Sequence, residues 1–311
     1  MNKKTVAFLD LLGFSNYVKN NLHGANLLLI NYHAVIDNME INTRNKVNPD
    51  NSAVLLELES RLRTTSFDQF LPFSDSIVIS ANNPDLFIKQ LSSFLLHCFK
   101  TNSNQFLNPE VPHNPTIVTS KNLDIRDQRL EMIDEKENWY PVLFRGGVSY
   151  NEYSEIISPA INDGEKVNFK NITGLSIVEA VKLEKKGKGP NIYLNKSFVD
   201  RLAQSSQKYI LEIEEGFKLL WPSFIFMDQN DLKREINKFD ELFISATNLW
   251  KAFNHESFGI HYFEFIKLII ESTFRIYREK GLENFAKKYI SKKIEEENIP
   301  KKKQVLLNQF T

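Results

Sequence analysis

The chain has 311 residues, enough to bury a sizeable core. Its 39 Lys and Arg balance its 39 Asp and Glu, which argues against a global field for nucleic acid or an anionic membrane and makes any phosphate chemistry local. Cys98 is the only cysteine, so no internal disulfide forms; set in the apolar run Leu86 to Phe99, it reads as a core residue in a reducing cytosol. No stretch approaches the roughly 18 apolar residues of a membrane span, and MNKKT leads straight into a strand, so a soluble cytoplasmic protein without membrane or nucleic-acid partners is expected.

Thr5 to Leu9 is apolar, β-branched and short, which predicts a buried strand with Asp10 at its carboxyl end. Ser15 can cap a short helix, and the spacing of Leu28, Leu29, Tyr32, Val35, Ile36 and Met39 predicts a long amphipathic helix over Ala25 to Glu40. Phe67 to Pro72 and Ile77 to Ser80 form a tight hairpin around PFSDS with Asp75 at its tip, and Asn83-Pro84-Asp85 opens a helix. Thr101 to Asn138 sustains no period and reads as a loop insertion. Val142 to Val148 and Tyr153 to Ile157 predict a second hairpin, Gly174 to Lys185 a helix and NIYL from Asn191 a short strand. Tyr209 to Ile213 and Phe217 to Trp221 predict a hairpin turning at Glu215-Gly216. Beyond Asp228 the pattern is helical over Asp231 to Phe253, His261 to Arg278 and Leu282 to Glu296. The expected class is α/β, an α+β sandwich with a mostly antiparallel sheet flanked by helices. Residues 1–221 would form the catalytic unit, with the insertion at 101–138, and 222–311 a helical extension.

Asp10 and Asp75 each end or join a strand among apolar or small neighbours. If the two strands are adjacent, both carboxylates leave the same sheet edge, where hard oxygen ligands suit Mg²⁺ or Mn²⁺ completed by substrate phosphates. Gly13 in LLGFS permits close backbone approach, and amides entering a helix can hold phosphate oxygens. On these two stretches alone, an aspartate capping a turn that Gly13 shapes is the favoured reading. His255 and His261 are too far apart for one helix face and read as solvated or core residues; EKKGKGP lacks P-loop spacing, and the lysine-rich tail reads as a solvated charge run.

The segments VAFLDLLGFS, FSDSIVIS, FRGGVSYNEY and GLSIVEAVKLEKKGKGPNIYL occur in an order and approximate spacing that resembles the class III nucleotide cyclase catalytic domain. The resemblance spans Thr5 to Asn195, interrupted by the 101–138 insertion. The EA-x-x-LE pattern followed by P-x-I, with the RGG strand before it, looks more like the pyrimidine cyclases of the Pycsar anti-phage systems. The resemblance implies that Asp10, Asp75 and the carbonyl of Leu11 hold two divalent metal ions, Mn²⁺ or Mg²⁺, and that the amides of Leu12, Gly13, Phe14 and Ser15 hold the triphosphate. It also implies intramolecular attack of a ribose 3′-hydroxyl on the α-phosphate. The product would be a 3′,5′-cyclic monophosphate, a second messenger, with pyrophosphate released. A head-to-tail homodimer sharing two active sites is implied as well.

Several positions depart from the purine-cyclase pattern. The base-reading lysine and aspartate fall at Leu71 and Asn171, which removes the adenine-specific donor and acceptor. UTP ahead of CTP then follows from the Pycsar-like resemblance. The transition-state asparagine and arginine fall at Val178 and Lys182. Val178 cannot hydrogen-bond, while Lys182 either presents a point charge to the α-phosphate or pairs with Glu179 or Glu184 as a surface lysine. Arg145 either contacts phosphate or is a structural ion-pair residue, and Phe73 and Tyr150 are candidates for stacking on the base, or core. A purine cyclase with an unusual pocket and a catalytically inactive nucleotide-binding domain are the competing readings.

Overall fold

The computed structural model describes residues 2–20, 25–26, 29, 67–103, 106–107, 116–124, 129–137, 143–162, 164–226, 231–255, 257–297, 299 and 303–310. Strand β1 (Lys3–Leu11) is an interior strand of a seven-stranded sheet. Helices cover both faces of the sheet at this strand, which explains the nearly unbroken apolar run VAFL. Its neighbours are β3 (Ser76–Ala81) and β6 (Phe144–Glu152), both antiparallel to it. Strand β2 (Phe67–Phe73) closes one edge of the sheet beyond β3. On the other side β9 (Ile192–Leu194) runs parallel to β6, followed by β11 (Gly216–Leu219) and β10 (Ile210–Ile213). The mostly antiparallel α/β architecture expected from the sequence is therefore present.

The period-two alternation of β1 sets up the two faces of the sheet. Ala7, Leu9 and Leu11, with their register partners Ile79, Ile77, Val148 and Phe144, join the buried core together with helix α2 (Pro84–Ser103). Phe94 of α2 lies 5.8 Å from Phe144 and 6.0 Å from Phe70 between ring centroids. The intervening residues of β1, Phe8 and Asp10, share the other face with Gly147 and Arg145. Helix α3 (Leu175–Glu184) lies against this face at close range. Gly147 makes that approach possible, because a Cβ there would stand 2.1 Å from the Ala180 carbonyl oxygen.

After α3 the chain adds short helices α4 (Lys196–Val199) and α5 (Gln204–Gln207), the β10–β11 hairpin and a 3₁₀ turn at Trp221–Ile225. The C-terminal segment comprises α6 (Leu232–Glu235), α7 (Asn237–Phe253), α8 (Gly259–Glu279), α9 (Glu283–Glu296) and α10 (Lys303–Leu307). Phe265 of α8 stacks on Trp221 at 5.0 Å and meets Phe99 of α2 edge-on at 4.7 Å. Trp221 also donates its indole N–H to the Pro190 carbonyl at 2.9 Å, and Lys218 pairs with Glu271. The helical segment and the sheet thus share one continuous core.

Three expectations need correction or placement. The predicted pairing of Val142–Val148 with Tyr153–Ile157 does not occur. Both edges of β6 are occupied by β1 and β9, so β7 (Ser154–Asn162) pairs instead with β8 (Glu165–Thr173) as a separate ribbon. The expected loop over 101–138 contains a second ribbon, β4 (Thr116–Asp124) with β5 (Arg129–Glu137), where the β-branched run Thr116 to Thr119 favours extended backbone. The helix expected over Ala25 to Glu40 lies almost wholly outside the described residues. Among the described residues, no helix is long and apolar enough to cross a membrane.

Candidate active site

Asp10 and Asp75 meet at one end of the central strands. Asp10 is in register with Ser76, and the Leu11 amide donates to the Asp75 carbonyl at 2.9 Å, so the β2–β3 turn is tied to the end of β1. That turn spans two residues, with Ser74 at φ 56°, an uncommon conformation for a residue with a side chain. The chain next passes through Gly13, whose φ of 81° suits only glycine without strain, into α1 (Phe14–Asn20).

Register partners on adjacent strands share a face of the sheet. Phe73 pairs with Ser76, Leu71 with Val78, and Ser76 with Asp10. Leu71, Phe73, Asp10 and Arg145 therefore stand on one face, the face that α3 partly covers. Phe73 is 77% exposed, an unusual position for a phenylalanine and one that leaves its ring open to a ligand.

Arg145 adopts the ion-pair arrangement. Its Nε and Nη2 donate to the same Asp10 oxygen, Oδ2, at 3.1 and 2.8 Å, and its Nε lies 2.5 Å from Glu184 Oε1 on α3. Ser76 Oγ reaches the other Asp10 oxygen, Oδ1, only at 3.4 Å. The Glu184 side chain is 4% exposed, and burial raises its carboxyl above the ordinary value, offset in part by Arg145. Asp10, Asp75 and the Leu11 carbonyl are hard oxygen donors of the kind Mg²⁺ and Mn²⁺ take, and Asp10 Oδ1 is the less engaged oxygen. The donor set therefore fits such an ion with two protein carboxylates. Among the described residues, no group of three or more His, Cys, Asp or Glu is placed to hold a metal.

Of the LLGFS segment, the Leu12 amide is already spent on the Leu143 carbonyl at 2.8 Å. The Leu11 and Phe14 side chains are buried, and Ser15 is exposed. Lys182 projects from α3 into solvent, on the same side as Val178 and Leu175, which are 46% and 49% exposed. Neither glutamate considered as its partner is available. Glu184 faces Arg145, and Glu179 accepts from Ser149 at 3.1 Å, Asn151 at 3.0 Å and Asn195 at 2.7 Å. Asn171 lies exposed on the β7–β8 ribbon opposite Ile156. Among the described residues, no hydrogen bond or ion pair joins Asn171 or Lys182 to Asp10 or Asp75. Tyr150 is not brought together with Asp10 and Phe73: it pairs with Thr5 towards the far end of β1, on the other face, under the Arg201 guanidinium at 4.6 Å.

Two features escaped sequence reasoning. Glu184 belongs to the EA-x-x-LE pattern, yet its partner Arg145 is too distant along the chain for spacing to reveal it. His261, in the first turn of α8, was expected to be solvated or core; its Nδ1 is buried without a hydrogen-bond partner. Burial, Arg145 and Lys188 lower its pKa, against a raising effect from Glu264. Phe258, just before α8, packs on the Gly13 turn, where a Cβ added to the glycine would stand 3.5 Å from the Phe258 Cβ.

No protein-family model matches the chain, and no curated protein matches it. Among solved structures it is similar to one from a study of adenylate cyclases of Trypanosoma brucei in their monomeric state. The match has 11% identity and a TM-score of 0.36, and covers 68% of this chain and 79% of that one.

Proposed function

We propose that the protein is a metal-dependent nucleotide cyclase that converts a pyrimidine ribonucleoside triphosphate, UTP ahead of CTP, to its 3′,5′-cyclic monophosphate as a second messenger in anti-phage defence. The observation that carries the cyclase reading is the juxtaposition of Asp10 and Asp75 at one end of adjacent central strands, beside the Gly13 turn. The pyrimidine preference and the defence role rest on the sequence resemblance.

In this reading Asp10, Asp75 and the Leu11 carbonyl hold two divalent ions, which when bound lower the pKa of the 3′-hydroxyl and neutralise the leaving phosphates. The amides of Gly13, Phe14 and Ser15 orient the triphosphate, since the Leu12 amide is engaged elsewhere. Leu71 and exposed Phe73 offer an apolar edge and a ring for the base on the same face. Lys182, free of glutamate partners on its own helix, supplies a positive charge to the α-phosphate. In this reading exposed Lys182 and Asn171, which no hydrogen bond or ion pair joins to Asp10 or Asp75 among the described residues, serve the site of a second subunit in a head-to-tail homodimer. The exposed stripe Leu175, Val178 and Lys182 suits such a contact. Catalysis is then mostly positioning and charge compensation, with no side-chain nucleophile.

The test is incubation of the purified protein with Mn²⁺ and each of the four ribonucleoside triphosphates, with products identified by mass. A cyclic product from UTP or CTP that disappears in Asp75→Ala supports the reading. Turnover of ATP or GTP alone replaces it with a purine cyclase, and nucleotide binding without any product replaces it with an inactive binding domain.

A further inference from the structure

We propose that Arg145 is a resident counter-ion that holds Asp10 while no divalent ion is bound and passes to Glu184 when one binds, which makes Glu184 a positioning residue that sets how readily the site takes its metal. The inference rests on the metal-site reading above. One guanidinium here faces two carboxylates. Nε and Nη2 are both aimed at Asp10 Oδ2, at 3.1 and 2.8 Å, yet Nε is already only 2.5 Å from Glu184 Oε1. Glu184 Oε1 is buried and receives no aligned hydrogen bond, so its close cation is near but pointed elsewhere. A turn of the Arg145 side chain re-aims Nε from one carboxylate to the other without backbone movement.

The charges favour that exchange in one direction only. Without an ion, Asp10 and buried Glu184 share a single positive charge, and Asp10, the more exposed of the two at 21% against 4%, holds the better-formed hydrogen bonds. With a divalent ion on Asp10, the guanidinium is repelled from it, while Glu184, desolvated and with the exposed Lys185 as its one further cation among the described residues, is a strong seat. Arg145 thus keeps Asp10 in place through Oδ2 before the ion arrives and competes with it, charge against charge, for the same carboxylate.

Mn²⁺ binding, followed by loss of the free-ion EPR signal on titrating protein without nucleotide, reads this directly. Arg145→Met removes the competitor and is expected to tighten Mn²⁺ about tenfold, whereas Glu184→Gln removes the alternative seat and is expected to weaken it several-fold. The double variant Arg145→Met/Glu184→Gln leaves no lone buried charge, guards against misfolding of the single variant, and is expected to bind more tightly than wild type. If the double variant binds no more tightly than wild type, or Glu184→Gln binds Mn²⁺ unchanged, the shuttle is overturned while the metal site stands. Equal Mn²⁺ binding by wild type and Asp10→Asn overturns the metal-site reading itself and the inference with it.

Discussion

Replacing Gly147 by alanine tests how α3 reaches the site. The added Cβ would lie 2.1 Å from the Ala180 carbonyl oxygen and 2.6 Å from Leu183 Cβ, where ordinary contact begins at 3.4 Å. The first obstacle is backbone, which no rotamer change relieves, so α3 must retreat by more than an ångström from β6. Overpacking of this kind costs about 2–3 kcal/mol. For a chain of 311 residues that corresponds to a fall in Tm of about 3–5 °C. Because α3 carries Glu184 and Lys182, turnover in the assay of the proposed cyclase activity should fall much further than the fraction folded. Differential scanning fluorimetry alongside the mass-based product assay measures both. A Gly147→Ala protein with unchanged Tm and unchanged turnover would refute the argument that this glycine sets the helix-to-sheet distance.

Glu179→Ala should cost about 2–4 kcal/mol in urea unfolding, because Ser149, Asn151 and Asn195 all lose their acceptor at once. A loss below about half a kcal/mol would show that water replaces the carboxylate. His261 has a folded pKa lowered from 6.5, so the unfolded chain binds more protons in that region. Its contribution to stability is whole above pH 6.5 and is lost as pH falls through the folded value. Urea unfolding near neutral pH and at mildly acidic pH should therefore show a larger loss for wild type than for His261→Gln, and equal losses would exclude the histidine as the cause. In the proposed head-to-tail dimer, mixing Lys182→Ala with Asp10→Asn, each expected to be inactive alone, should restore about a quarter of wild-type turnover, because half of the dimers would then carry one intact shared site. No recovery despite subunit exchange would place both residues in one chain's site.

The parts of the fold that were legible in the sequence are those whose signal is local. The β1 run, the PFSDS hairpin and the Asn83-Pro84-Asp85 helix start each show their chemistry within a few residues, and Asn83 Oδ1 does accept from the Leu86 amide at 3.1 Å. The β7–β8 ribbon was half missed because its described apolar side chains are exposed and polar residues surround them: Val167 is 39% exposed, and Ile157 and Ile161 are 69% and 76% exposed. The false β6–β7 hairpin arose because two adjacent apolar runs look alike whether they pair with each other or with strands from elsewhere. In the site, Asp10 and Asp75 were legible from their odd placement beside apolar neighbours. Glu184, Glu179 and His261 were not, because their surroundings depend on Arg145, Asn151, Asn195 and Lys188, which only tertiary contact brings to them.

Gly189 joins the loop after α3 to the C-terminal helices. Its φ is 79°, and a Cβ there would stand 2.3 Å from Glu264 Cβ on α8. Two distant stretches of sequence have therefore been shaped to one another, and they form a single unit of exchange. A chimera that imports residues 222–311 from another protein should fold well only if it imports the 185–190 loop with them. Loop libraries at the basic turn should be screened with Gly189 held fixed.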